Sequence, residues 1–203
     1  MKREGWIPLS IPKEGIAVNK QKENIWNVPN LLTMLRMVLI PVYWVLFMQD
    51  RRIAALCVFA VASFTDLLDG RIARKYNLVT NFGKLFDPLA DKLMVISVML
   101  GFVIMGVIPW PIMAIVMAKE GTMLLGGTLL LKRGLVVYAE MIGKVAQVAM
   151  VTGLVLCFFE EQFTALGVPV HLIVLWLAVA LTLAALVFYV RRGLQWFNES
   201  KEQ

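Results

Sequence analysis

The sequence has little of what soluble enzymes commonly use for chemistry. Its 203 residues include one histidine and two cysteines. Cys57 and Cys157 stand alone in apolar stretches without CxxC spacing, which reads as two small hydrophobes rather than a disulfide or a metal pair. His171 sits at the edge of an apolar run and reads as an interfacial residue rather than a ligand. Zinc chemistry built on His and Cys is therefore disfavoured. Charge is scarce too, with charged residues at 17% against 60% hydrophobic. The mean hydropathy of +0.75 lies well outside the range of soluble domains. There is no internal repeat, no low-complexity tract and no pair of glycines at GxxxG spacing. A signal peptide is not expected, because the first 26 residues mix Lys2, Arg3, Lys13, Lys20 and Lys22 with Glu4, Glu14 and Glu23 and lack an apolar core.

What is abundant is long apolar sequence. Val170 to Val190 contains no acid, lysine or arginine, and Leu93 to Ala118 is uncharged but broken by "PWP" at Pro109 to Pro111. Such runs are too long for core helices of a small globular protein. The expected fold is an all-α integral membrane protein with six transmembrane helices, at about 28–49, 52–75, 83–107, 110–131, 140–159 and 170–192. Basic residues collect in the amino-terminal arm, at Arg71, Arg74, Lys75 and Lys84, at Lys132 and Arg133, and at Arg191, Arg192 and Lys201. By the positive-inside rule both termini face the cytoplasm, and Arg51–Arg52 is the exception. The expected organisation is a cytoplasmic or interfacial arm over 1–26 with Trp6 and Trp26 as anchors, a catalytic domain over 27–195, and a cytoplasmic tail over 196–203. The net charge of +6 reads as topology plus attraction to anionic lipid, with no need for nucleic acid.

Against this background, residues 65 to 92, "TDLLDGRIARKYNLVTNFGKLFDPLADK", hold four aspartates. Asp66 and Asp69 are three apart, and Asp87 and Asp91 are four apart, so on helices each pair shares a face. Gly70 and Ala73 follow on the first face, and Gly83 precedes Asp87 on the second. Each aspartate near a span centre costs roughly 2.5–3.5 kcal/mol to insert. Like charges at close range add to that cost unless cations intervene. Divalent ions answer both problems, and an all-carboxylate set favours Mg²⁺, Mn²⁺ or Ca²⁺. Helix capping, or pairing with Arg71, Arg74, Lys84 and Lys92, would explain one or two of these aspartates. It would not explain four in 26 residues at paired helical spacing.

The pattern Asp66-x2-Asp69-Gly70-x2-Ala73-Arg74-x8-Gly83-x3-Asp87-x3-Asp91 resembles, position for position, the motif of the CDP-alcohol phosphatidyltransferases. "NVPNLLTMLR" at Asn27 to Arg36 and "FDPLADK" resemble the bacterial phosphatidylglycerophosphate synthases of that family. The resemblance implies a cytoplasm-facing site for two divalent ions, Mg²⁺ or Mn²⁺, held by Asp66, Asp69, Asp87 and Asp91. It implies Asp91 as general base on the acceptor hydroxyl, with Asp69, Gly70, Ala73, Arg74 and Gly83 around the CDP moiety. It also implies a homodimer.

The expected reaction moves the phosphatidyl group of CDP-diacylglycerol to glycerol 3-phosphate, releasing CMP among membrane lipids. A phosphate-bearing acceptor needs cations, and Arg36, Lys92, Lys119 and Lys144 are the candidates. Arg36 has snorkelling to the interface as its competing role, and Lys119 has neutralisation of Glu120. The family subgroup typically shows "ARE" and "GKVKT", where this chain has "AKEG" at 118–121 and "GKVAQ" at 143–147. That departure keeps phosphatidylglycerol, as in cardiolipin synthases, as the alternative acceptor. A divalent-cation transporter or sensor is the alternative from another class. It is disfavoured by the absence of a repeat and by acids gathered towards one face.

Overall fold

The computed structural model describes residues 27–75, 80–132 and 141–199. The expected arm over 1–26, with Trp6 and Trp26, lies outside the described residues, as do residues 200–203 of the expected tail. Among the described residues there are seven helices and no strand: α1 (Val28–Met48), α2 (Arg52–Lys75), α3 (Asn81–Ile104), α4 (Trp110–Lys132), α5 (Met141–Cys157), α6 (Glu160–Ala165) and α7 (Val170–Glu199).

Each of the six apolar segments read from the sequence forms one helix, and the differences lie at the ends. Helix α1 starts where Asn27, in extended conformation, accepts a hydrogen bond from the Asn30 amide at 2.9 Å, with Pro29 in the first turn. Helix α3 stops at Ile104 rather than 107 because Gly106 takes a left-handed φ of +76°. The amides of Val107 and Ile108 then turn back to the Phe102 carbonyl. Helix α3 also runs from Asn81 straight through Asp87 and Pro88. Asp87 is therefore an interior residue and not a helix start, and Pro88 forgoes one backbone rung beside it. Helix α7 continues to Glu199, past the expected end at 192 and into the segment read as tail. Hydropathy falls at Arg191, but a helix needs only its own backbone pairing to go on. The loop expected between 159 and 170 contains α6, whose first turn carries Glu160 and Glu161, favourable at a helix amino terminus.

Helix α1 packs against α2 and α3, α5 lies along α7, and α4 rests on α7 and α3. Two glycines let backbones approach. A Cβ on Gly101 would meet the Phe47 ring at 2.8 Å and the Tyr43 hydroxyl at 3.0 Å, and one on Gly153 would meet Leu175 at 2.7 Å. Between them runs a chain of rings. Phe47 stacks on Tyr43 at 5.3 Å and meets Phe102 edge-on at 5.4 Å, and Phe102 meets Phe158 edge-on at 4.8 Å. The rings join α1 and α3 to the turn after α5.

At the far end of α1 and α2 from the aspartates, Arg52 pairs with Asp50 at 3.1 Å, Glu161 at 3.0 Å and Glu160 at 3.6 Å. The arginine pair that broke the charge rule thus has one member matched by acids of α6 and the α1–α2 turn. Large apolar side chains stand exposed on all six long helices, among them Val38, Phe64, Ile104, Leu125, Val148 and Leu177. Among the described residues two helices, Val28–Met48 and Val170–Arg191, are long and apolar enough to cross a membrane by length and composition.

Candidate active site

The aspartates arrive on two neighbouring helices, Asp66 and Asp69 on α2 and Asp87 and Asp91 on α3. Helix α1 faces them with a polar stripe at every third residue, Asn30, Thr33 and Arg36. All three are buried, and Arg36 is only 1% exposed in spite of its charge. Asn30 accepts a hydrogen bond from Thr80, just before α3, at 2.9 Å. The Thr33 hydroxyl donates to Asp87. The Arg36 guanidinium lies 2.7 Å from Asp66 and 3.8 Å from Asp87, bridging α2 and α3. A buried guanidinium requires such pairing, and its fork suits two carboxylates at once.

Asp66 is close enough to both Asp87 and Asp91 for their like charges to oppose one another. Among the described residues no three acidic, histidine or cysteine side chains gather closely enough to enclose one ion. The donor chemistry nonetheless fits a hard divalent cation. Every donor is a carboxylate oxygen, and two of the carboxylates share a single guanidinium, which leaves net negative charge where they meet. Asp69 lies on the next turn of α2. Its side chain, and those of Gly70, Ala73, Arg74 and Gly83, lie outside the described set.

Asp91 belongs to a second feature as well. It lines a cavity of about 380 Å³ between α3, α4, α5 and α7. Lys92, Lys119 and Lys144 all line this cavity, together with Glu120 and Gln147. The rest of the wall is largely apolar, with Val95, Val116, Met150 and Phe188. Gln147 on α5 donates to Asp91 Oδ2 at 3.2 Å. Glu120 accepts from Lys119 at 2.7 Å and pairs with Lys92 at 2.6 Å.

The structure therefore brings three of the four basic candidates into one cavity with Asp91. The fourth, Arg36, does not line it; its guanidinium is held instead by Asp66 and Asp87. Nor does Arg36 snorkel, being buried. Thr33, Glu120 and Gln147 were not singled out from the sequence. The signal for Thr33 was there, since polar residues every three positions in an apolar run mark one helix stripe. Glu120 was visible only as the neighbour of Lys119, and Gln147 only as the last letter of "GKVAQ".

A sequence profile of the CDP-alcohol phosphatidyltransferase family matches residues 26–184. The chain is 31% identical over 196 residues to the CDP-diacylglycerol–glycerol-3-phosphate 3-phosphatidyltransferase of Bacillus subtilis, covering 88% of this chain and 97% of the relative. Over 73 residues it is 56% identical to the enzyme of the same name from Rickettsia typhi, covering 34% of this chain and 40% of that one. It is 36% identical over 99 residues to a cardiolipin synthase (CMP-forming)/mitochondrial hydrolase fusion protein of Schizosaccharomyces pombe, covering 49% of this chain and 17% of the relative. With the aspartate pairs on adjacent helices and a family match across most of its length, the chain belongs to the CDP-alcohol phosphatidyltransferase family.

Proposed function

We propose that this protein transfers the phosphatidyl group of CDP-diacylglycerol to glycerol 3-phosphate, releasing CMP. The observation that carries the reading is the cavity in which Asp91 shares a wall with Lys92, Lys119 and Lys144. A carboxylate beside three ammonium groups suits a substrate that offers a hydroxyl and a phosphate together. The walls around them are apolar, and attraction between opposite charges grows as water is excluded.

In this reading the acceptor phosphate sits among the lysines and presents its free hydroxyl to Asp91. Asp91 takes the hydroxyl proton. The hydroxyl oxygen forms a bond to the lipid-side phosphorus of the diphosphate, the bond from that phosphorus to the CMP oxygen breaks, and CMP leaves with its electron pair. Gln147, by occupying Oδ2, turns the other Asp91 oxygen towards the acceptor. Arg36 and Thr33 hold Asp66 and Asp87 in register. Asp66, Asp69, Asp87 and Asp91 would hold two divalent ions, Mg²⁺ or Mn²⁺. The chemistry such ions supply when bound is polarisation of the diphosphate and stabilisation of the charge on the leaving group. Asp69, Gly70, Ala73, Arg74 and Gly83 are assigned to the CDP moiety by the family motif.

The same reading places α1 to α5 and α7 across the membrane, with both termini and the aspartate end in the cytoplasm. The apolar side chains exposed on all six helices support it. So does the pairing of Arg52 with α6, which leaves less net positive charge at the opposite end.

The test is CMP release by the purified protein in mixed micelles with CDP-diacylglycerol and Mg²⁺ or Mn²⁺, each acceptor being supplied alone. Release that requires glycerol 3-phosphate is the expected result. Release that requires phosphatidylglycerol instead would replace the acceptor and keep the chemistry. No release with either would overturn the reading.

A further inference from the structure

Glu120 has no place in the reaction as described, yet it holds two of the three cavity lysines. Its Oε1 lies 2.7 Å from the Lys119 ammonium and its Oε2 lies 2.6 Å from that of Lys92. The three side chains come from two helices, Lys92 from α3 and the other two from α4. Consecutive residues on a helix point about 100° apart and do not ordinarily meet. For Lys119 to reach Glu120, its long side chain must bend round the helix towards α3. The bend brings its ammonium to the carboxylate that already holds Lys92. Without Glu120, nothing described here would keep two like charges together, and both lysines have the reach to swing elsewhere.

We infer that Glu120 is a positioning residue that assembles Lys92 and Lys119 into a paired cation for the phosphate of the acceptor. This rests on the acceptor reading given above. A carboxylate that spans two ammonium groups with one oxygen each fixes their separation at a distance suited to bridging by one oxyanion. Phosphate offers the same pairs of oxygens on a tetrahedral frame. Glu120 therefore acts on binding of a phosphate-bearing alcohol, and through the lysines rather than by touching the reacting atoms.

The experiment compares Glu120→Gln with the unaltered protein in the CMP-release assay, varying glycerol 3-phosphate and CDP-diacylglycerol separately. The expected result is a KM for glycerol 3-phosphate raised about tenfold, as for loss of one charge-assisted hydrogen bond. The KM for CDP-diacylglycerol and kcat should stay within about threefold, a split that general unfolding would not produce. Glu120→Asp should recover part of the loss. Should Glu120→Gln fail to fold, the pair Lys119→Met with Glu120→Gln keeps the net charge, and its KM should match that of Lys119→Met alone. An unchanged KM for glycerol 3-phosphate in Glu120→Gln, or parallel losses in kcat and both KM values, overturns the assignment. So does a paired variant with the unaltered protein's KM. Activity of the unaltered protein on glycerol 3-phosphate is measured first. Its absence overturns the acceptor reading and this inference together, whereas its presence with an unmoved KM overturns this inference alone.

Discussion

Asp91 stands between the aspartate cluster and the lysine-lined cavity, and two substitutions separate its duties from those of its neighbours. Asp91→Asn should lower kcat by about 10²- to 10⁴-fold, the range for a lost general base, while much of the Mn²⁺ binding remains. Asp66→Asn should lower both turnover and Mn²⁺ affinity, read by calorimetry beside CMP release. Undiminished turnover in either variant would refute the assigned role. Gln147→Leu frees Asp91 Oδ2 and should lower kcat about tenfold, as loss of an orienting hydrogen bond does. The four aspartates could be singled out in the sequence because their signal is local: carboxylates three and four apart, in a chain this apolar, have few structural uses. Glu120 and Gln147 were not legible because their roles exist only across helices. Nothing in "AKEG" says that the glutamate faces Lys92, and nothing in "GKVAQ" says that the glutamine faces Asp91.

At the scale of elements, apolar runs located the six long helices, since an uninterrupted greasy segment has little alternative to pairing its own backbone. Their ends were harder to read, because backbone conformation and not hydropathy decides them, as Gly106 and the long α7 illustrate. Helix contacts were not readable at all. The close approach of α5 to α7 depends on Gly153, whose missing side chain is filled by Leu175. Gly153→Val should destabilise the fold by about 1–3 kcal/mol through overpacking, seen as a lower thermal midpoint in detergent. Gly121→Ala meets nothing within 4 Å and should leave that midpoint unchanged or raise it slightly. Equal midpoints for the two variants would show that α5 and α7 do not depend on this contact.

For the whole molecule, the proposed topology predicts opposite accessibility at the two ends of the bundle. In a background lacking Cys57 and Cys157, Thr164→Cys should react with a membrane-impermeant thiol reagent in right-side-out vesicles. Ser200→Cys should react only after inversion. The reverse pattern would put the aspartate end outside the cytoplasm. The orientation of the bundle says where substrates arrive, but the spacing of the site is set from within, by α1. A three-residue repeat on a helix of 3.6 residues per turn drifts sideways by about 60° at each step. Asn30 therefore addresses the start of α3, Thr33 addresses Asp87, and Arg36 has turned far enough to reach Asp66 on α2. The stripe works as a screw thread cut into one helix and engaged by two others. Sliding α1 by a single residue, about 1.5 Å, would disengage all three contacts together. The gap between the two aspartate-bearing helices is thus gauged by a helix that contributes no carboxylate of its own.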